Sequence, residues 1–468
     1  MITYQDLQLV QDDEQKKMAF VRKTIDEHKA SDDCELAATA ELYYRHKNKT
    51  INEFKKWIYL VTGGKTEDLM SANFKLASNI FYRLVLNETH FSLGNGIRFN
   101  NKTTKNKLSN KKYDFDKQVD KAGKAALVHG VSFGFWNLDH IEIFKLTEFK
   151  PLWDEETGAL MAGIRYWQLA SDKPLRAVLY ERDGYTSYIW RRRKKDGKPI
   201  QGSKGEILHE KQPYKKIVVS TPADGETIID GENYDDFPIV PFWGNELHQS
   251  EFVGLQEWID CMDLIASGFA NTVDEASFIM WTLKNANGMD EKDLVDFIDH
   301  IRKQHIAVTD DDAIPHQLET PYEGREALLD RLERSIYRDF MAVNSEFLTT
   351  SGETATAIKA AFEPQNIKAD EFEYCVIQFI MGILKLAGID DKPTFERAQT
   401  HNEQEEVTTA LAAQQVTGED YTLQKVLAIM GDIDKYDDIL KKRDADAIDR
   451  ISTEDEEADE EAKEDENE

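Results

Sequence analysis

Apolar residues recur at helical spacing through most of residues 1–95, a stretch with few glycines and no proline. Between Asn73 and Leu86, the positions Phe74, Ala77, Ile80, Phe81, Leu84 and Val85 share one face, which predicts a helix. The run Phe54-Lys-Lys-Trp-Ile-Tyr-Leu-Val61 also reads as helix, making the following Gly63-Gly64 a turn between helices. Gly94-Asn95-Gly96 breaks the pattern. The polar stretch from Asn100 to Tyr113 then reads as an exposed loop. From about Leu127 to Phe242 the period changes to short β-type runs separated by turn residues. Asp183-Gly184 and Asp196-Gly197 are the clearest hairpin signals, because glycine there accepts the turn backbone. This is an antiparallel region in an α+β, mainly helical chain.

Helical spacing returns at Ser250. Leu255, Ile259, Met262, Ala266, Phe269 and Val273 fall on one side of a wheel, and Asp260, Asp263, Ser267, Asn271 and Asp274 form an adjoining polar stripe. Such a stripe suits solvent, a neighbouring subunit or the wall of a lumen. A compact insert follows from about Phe278 to Pro321, with an amphipathic helix at Glu291 to Arg302 and the strand-like HIAVTD. A second long helix is expected from Glu323 to Val343, with Leu329, Leu332, Ile336 and Phe340 as its apolar positions. Each long helix would span roughly 30 Å. The loop Asn344-Ser345-Glu346-Phe347-Leu348-Thr349-Thr350-Ser351-Gly352-Glu353 comes next, and Thr350 with Glu353 has the form of a capping box for a third helix. That helix should kink near Phe362 to Asn366, because Pro364 removes a backbone donor, and should stop at Gly388. Three short helical patterns separated at Gly418 and Gly431 close the chain.

Charge sharpens this outline. The 468 residues carry 88 acids against 58 Lys and Arg, a formal −30. The tail from Glu454 to Glu468 contributes −10, lacks apolar residues beyond alanine, and is expected to be disordered. The −20 left on the rest disfavours tight binding of nucleic acid through its phosphates. Cys34, Cys261 and Cys375 form no CxxC pair, so neither a disulfide framework nor a zinc site is expected. No apolar run approaches the ~20 residues of a membrane span, and the first residues lack the features of a signal peptide. A soluble, cytosolic product is the expectation.

Candidate chemistry is sparse. Gly64-Lys65-Thr66 matches the end of a phosphate loop, but Tyr59 stands where that motif needs its first glycine. Arg191 to Lys195 beside a hairpin turn suits either a solvated tip or phosphate contact. Asp310 to Asp312 has oxygen ligands for a divalent cation, although adjacent acids in a loop ordinarily face water. Histidines at metal-protease spacing are absent. Clustered carboxylates leave a metal-dependent nuclease, or another DNA-processing enzyme, as the alternative class.

Several stretches in succession resemble the portal proteins of tailed bacteriophages, of the type common in siphophages of Gram-positive hosts. They are NFKLASNIFYRLVLNETHFSLGNGIRF, AGKAALVHGVSFGFWN, FPIVPFWGNELHQSEFVGLQEWIDCMDLIASGFANTVDE, TSGETATAIKAAFEPQNIKADEFE and LAAQQVTGEDYTLQKVLAIMGDIDKYDDILKKRDAD. The resemblance implies a wing at residues 1–248, a stem helix at 249–276, a clip at 277–321 and a second, antiparallel stem helix at 322–343. It further implies a tunnel loop at 344–353, a long kinked helix at 354–390, a helical crown at 391–452 and the acidic tail at 453–468. In such a protein Asn344 to Ser351 would line a DNA channel, and the stripe Asp260, Asp263, Ser267, Asn271 and Asp274 would belong to the stem. The implied function is a non-catalytic, cofactor-free conduit, a dodecameric ring at a capsid vertex that passes double-stranded DNA. Its implied partners are the terminase large subunit, a head-completion adaptor, and the major capsid and scaffolding proteins. Assembly in the host cytoplasm would precede residence in the virion. The clip is short for this family, and the acidic tail exceeds what the family requires.

Overall fold

Capping residues punctuate the N-terminal region. Asp13 accepts the Gln15 and Lys16 N–H groups where α2 (Glu14–Lys29) begins, and Ser31 and Asn48 do the same for α3 (Asp32–Tyr44) and α4 (Lys49–Glu53). A short α1 (Tyr4–Gln8) precedes them. These elements come from a computed structural model. It describes residues 2–60, 64–69, 71–191, 205–220, 228–275, 280–284, 306–307, 309–316, 322–344, 355–398, 403–430, 433–436 and 438–443. The chain divides into two units, Met1–Ala398 and Gln399–Glu468.

Three expectations for this region are corrected. The segment read as helix after Phe54 is a hairpin, β1 (Trp57–Leu60) pairing antiparallel with β2 (Gly64–Glu67). Gly64-Lys65-Thr66 therefore lies on a strand, with the Lys65 ammonium 4.6 Å from the Trp57 ring centre, and not at the strand-to-helix turn a phosphate loop needs. The helix expected from Asn73 begins only with α5 (Ile80–Leu93), and residues 72–79 form neither helix nor strand. The polar stretch after β3 (Ile97–Phe99) is docked rather than loose. There α6 (Thr104–Lys107) is held by Asp391, whose carboxylate accepts from the Asn100 and Asn101 amides and the Thr104 hydroxyl.

Helix α7 (Phe115–His129) ends at Gly130, whose φ of +85° turns the chain directly into β4 (Val131–Asn137). A β-carbon there would meet the Gln249 backbone at 2.9 Å. Strands β4, β5 (His140–Lys145) and β13 (Ile239–Trp243) form a three-stranded sheet with β4 central. A five-stranded antiparallel meander follows: β6 (Phe149–Trp153), β7 (Leu160–Trp167), β8 (Leu175–Glu181), β9 (Gly184–Trp190) and β10 (Gly205–Gln212). The Asp183-Gly184 turn joins β8 to β9 as its sequence predicts; Asp196-Gly197 lies outside the described residues. β11 (Lys215–Ser220) and β12 (Ile228–Glu232) make a further pair.

Two cores result. Leu7, Val21 and Ile25 from α1 and α2 pack on Leu152, Ile164, Leu179 and Tyr188 of the meander. Inside this layer Lys17 and Glu181 make an ion pair of 2.9 Å with both side chains almost fully buried. The larger core gathers α3, α5, α7 and the three-stranded sheet around the later helices. Those are α8 (Gln256–Glu275), α9 (Tyr322–Asp339) and α10 (Ala355–Ala387). Between α8 and α9 the described residues form β14 (Met280–Lys284), β15 (Ile306–Ala307) and β16 (Thr309–His316), one sheet with β14 central. Asp310 to Asp312 thus lie on a strand rather than in a loop. The helix expected at Glu291 to Arg302 is outside the described residues.

Helix α10 is continuous through Pro364, the residue at which a kink is expected. Pro364 and Ala360 are both exposed, so water can take the carbonyl that the missing N–H leaves free. The helix ends at Gly388, with φ of +68°. β17 (Pro393–Phe395) then pairs with β3, tying the end of this unit to its first hundred residues. No helix among the described residues is long and apolar enough to cross a membrane. The second unit contains α11 (Glu403–Ala412), α12 (Gln414–Thr417) and α13 (Glu419–Ile429), with Gly418 marking the break before α13.

Candidate functional site

Two arrangements around the long helices bring the polar residues together. The first is the stripe on α8. Instead of facing solvent, a neighbour or a lumen, most of it is occupied by the chain's own N-terminal region. Asp260 accepts from the Tyr43 hydroxyl at 2.6 Å and the Thr50 hydroxyl at 2.9 Å. Asp263, 2% exposed, accepts from the Asn48 amide at 2.8 Å and the Ser78 N–H at 3.1 Å. Ser267 accepts the Leu76 N–H at 3.0 Å, and Asn271 accepts the Phe74 N–H at 2.7 Å. Only Asp274 is exposed.

The 3-4-4 spacing of the stripe explains the geometry. Every second residue of the segment, 74, 76 and 78, gives its N–H to one of three successive turns of α8, at Asn271, Ser267 and Asp263. Backbone donors that would have closed a helix are satisfied by side chains, so the segment stays out of a helix despite its helical spacing. Burial pushes the Asp263 carboxyl upward, against the lowering pull of Asn48 and Ser78.

The second arrangement lies just before the 344–353 stretch, where α9 ends. Ser345 to Ser351, including Phe347 and Leu348, lie outside the described residues, as does the Thr350–Glu353 capping pair; Asn344 is the last described residue before them. On the near side α9 ends at Asp339, Phe340 follows in a turn, and Met341 takes φ of +62°. Two side chains of α10 grip this end. The Lys368 ammonium donates to the Phe340 carbonyl at 3.1 Å, sits 3.3 Å from the Phe340 ring centre, and pairs with Glu251 at 2.6 Å. Gln365, 1% exposed, accepts the Val343 N–H at 3.3 Å. Glu251 also accepts from Asn245, which braces the turn before α8 by bonding both the N–H and the carbonyl of Gln249. One α10 turn therefore fixes the end of α9 to the entrance of α8.

Sequence reading missed Lys368, Gln365 and Glu251. A signal existed for the first two. Gln365, Ala369, Phe372, Val376, Phe379 and Ile383 follow the buried face of α10, so Gln365 is a polar residue on an apolar stripe, and Lys368 lies beside it.

The pair α8 and α9 runs antiparallel. Phe269 near the end of α8 meets Tyr322 at the start of α9 edge-on at 5.6 Å, and Arg325 donates to the Thr272 hydroxyl at 2.8 Å. Of the basic run at Arg191 to Lys195, only Arg191 is described, and it pairs with Glu206 at 3.2 Å.

Comparison with known proteins gives a match over nearly the whole chain. The family model described as "Phage portal protein, SPP1 Gp6-like" matches residues 22–461. A protein named "Portal protein" from Clostridium phage phiCD119 is 23% identical over 188 residues, 38% of this chain and 41% of that protein. The chain thus matches about two fifths of that relative's length. Among solved structures, the neck of an empty GTA particle computed with C6 symmetry aligns at a TM-score of 0.38 and 9% identity, covering 73% of this chain and 87% of the other. The neck of a native GTA particle computed with C12 symmetry aligns at 0.36 and 11%, covering 72% and 86%. TM-scores this low do not establish a shared architecture.

Proposed function

Since this chain belongs to the SPP1 Gp6-like family of phage portal proteins, we propose that it is one subunit of a closed ring at a capsid vertex, through which double-stranded DNA is packaged and ejected. The observation that carries this reading is the family match across residues 22–461. The same reading makes the ring a docking site for the terminase motor and a head-tail adaptor, and a nucleus for assembly of the capsid and scaffolding proteins.

Within it, α8 and α9 are the two stem helices, the segment between them is the clip, and residues 344–353 are the tunnel loop. Supporting this are the antiparallel contact of α8 with α9 and the clamp of Lys368 and Gln365 at the loop's base. Residues 391–452 are read as the crown and residues 1–248 as the wing. Asn344 to Ser351 are assigned to the channel. The stripe on α8 is reassigned: Asp260, Asp263, Ser267 and Asn271 hold the wing to the stem helix and leave Asp274 to face outward.

A conduit must not hold its cargo. The formal charge of −30 suits this, because acidic walls repel DNA phosphates and leave only transient contact at the loops.

The test is assembly. Mass photometry of the purified chain at near-physiological salt should find a ring-sized species, twelve-fold if it follows the family. Negative-stain images should show a central hole. A protein that stays monomeric across concentration and salt sinks the reading.

A further inference from the structure

Positive charge is concentrated in one stretch of an otherwise acidic chain. From Ile97 to Lys124 there are nine Lys and Arg against three Asp and no Glu, while the whole chain carries a formal −30. The stretch covers β3, α6, the turn after it and most of α7, and its own contacts order it. Asp391 holds the Asn100 and Asn101 amides. Lys105 pairs with Asp116, which ties α6 to the first turn of α7. Asn110 accepts the Lys112 and Tyr113 amides in the turn between them.

Three of the nine cations are neutralised within the fold: Arg98 by Glu396, Lys105 by Asp116 and Lys124 by Asp120. The other six, Lys102, Lys107, Lys111, Lys112, Lys117 and Lys121, are exposed and make no ion pair among the described residues. Lys117 and Lys121 stand one turn apart on α7, so their like charges repel. Lys117 also lies in the first turn, where the helix dipole disfavours a cation. Nothing inside the subunit answers these charges. An external anion would.

The surroundings of the lysines narrow the choice of anion. Asn101, Thr103 and Asn106 are exposed among them, whereas no apolar side chain of the stretch is. Protein interfaces are built on apolar and aromatic anchors and are depleted of lysine, so a protein partner fits poorly. Lysines interleaved with amide and hydroxyl donors suit a phosphate backbone. The nearest aromatic, Tyr113, is stacked on His140 at 4.3 Å and offers no free face to an unpaired base, which favours a duplex over a single strand. We propose that this patch contacts the sugar–phosphate backbone of duplex DNA, without regard to sequence and through residues other than 344–353. The choice of DNA among polyanions rests on the portal reading. Such contact is transient, with a Kd of about 10⁻⁴–10⁻⁶ M at physiological salt, and leaves a conduit free to release its cargo.

Fluorescence anisotropy of a labelled mixed-sequence duplex, titrated with the full chain over a salt series, tests this. The logarithm of the binding constant should fall against that of salt with a slope of about −5 if all six lysines meet phosphates. Lys111→Gln, Lys117→Gln and Lys121→Gln together should make the slope shallower by about 3 and weaken binding at least about tenfold at low salt, and arginine at the same three positions should restore both. Lys16→Gln, Lys23→Gln and Lys173→Gln change the net charge equally at exposed sites outside the patch and should have little effect. No binding at low salt, equal loss in the two triple-glutamine variants, or polyglutamate of matched charge bound as tightly as the duplex overturns the proposal. If the patch variant does not fold, protection of Lys111, Lys117 and Lys121 from acetylation by bound duplex in the unmodified chain carries the test. Ring assembly is read separately by mass photometry. A ring that ignores duplex overturns this inference alone, and a chain that binds duplex but never assembles overturns the portal reading instead.

Discussion

Glu88 is a buried acid whose ionisation its surroundings oppose. It lies on α5, 1% exposed, and its Oε1 has no hydrogen-bond partner. Burial pushes its pKa up to about 7, with Lys368 opposing and Glu251 adding to the shift. An acid whose folded pKa exceeds its unfolded value costs stability as it ionises. Its contribution is intact below the ordinary carboxylate range, falls as pH climbs towards 7, and is a constant penalty above that. Glu88→Gln should therefore raise stability over the unmodified chain by on the order of 3 kcal/mol at pH 8, and by little at pH 5. Denaturant titrations at the two pH values check this; an equal effect at both means that ionisation is not what Glu88 contributes. Its burial is legible in retrospect, because Phe81, Leu84, Val85 and Glu88 follow one helical stripe. The unpaired oxygen is not, since it depends on side chains more than 160 residues distant in the chain.

The α8 stripe shows what spacing can and cannot reveal about an element. Its periodicity located a helix and grouped the five polar residues on one side, and both are found. What they face depends on residues 43–78, which sequence separation hides. Asn73 to Ser78 has helical spacing yet forms no helix, since apolar spacing reports a face and not the partner of the backbone N–H groups. Hairpin turns fared better, because Asp183-Gly184 fixes local geometry without help from distant residues. The stripe also makes a quantitative prediction. Asp263→Ala leaves the Asn48 amide and the Ser78 N–H without acceptors, a loss of about 2–4 kcal/mol for two buried donors. Hydrogen exchange should show the Phe74, Leu76 and Ser78 amides losing protection while β7 to β9 keep theirs. Uniform loss across the meander would mean that the stripe supports the whole unit rather than this segment.

At the scale of the whole molecule, a ring that conducts DNA must separate the parts that hold it together from the parts that touch its cargo. On the proposed portal reading, the clamp at the end of α9 belongs to the first group. Lys368 and Glu251 form a largely buried ion pair with side chains 11% and 16% exposed, and the ammonium also binds the end of α9. Lys368→Met strands Glu251 and should cost on the order of 3 kcal/mol in the folded subunit. Phe347 and Leu348 follow Asn344 in the sequence, two apolar residues in an otherwise polar stretch that is long for a helix–helix connection. If the portal reading holds, they pack loop against loop around the channel, so their removal touches function and not folding. Phe347→Ala with Leu348→Ala should leave thermal stability and ring assembly nearly unchanged while lowering DNA packaging or retention in an infection assay. A double mutant that fails to fold or assemble assigns the pair to the subunit core. One that packages normally removes the tunnel-loop assignment, while Lys368→Met retains its stability defect in either case.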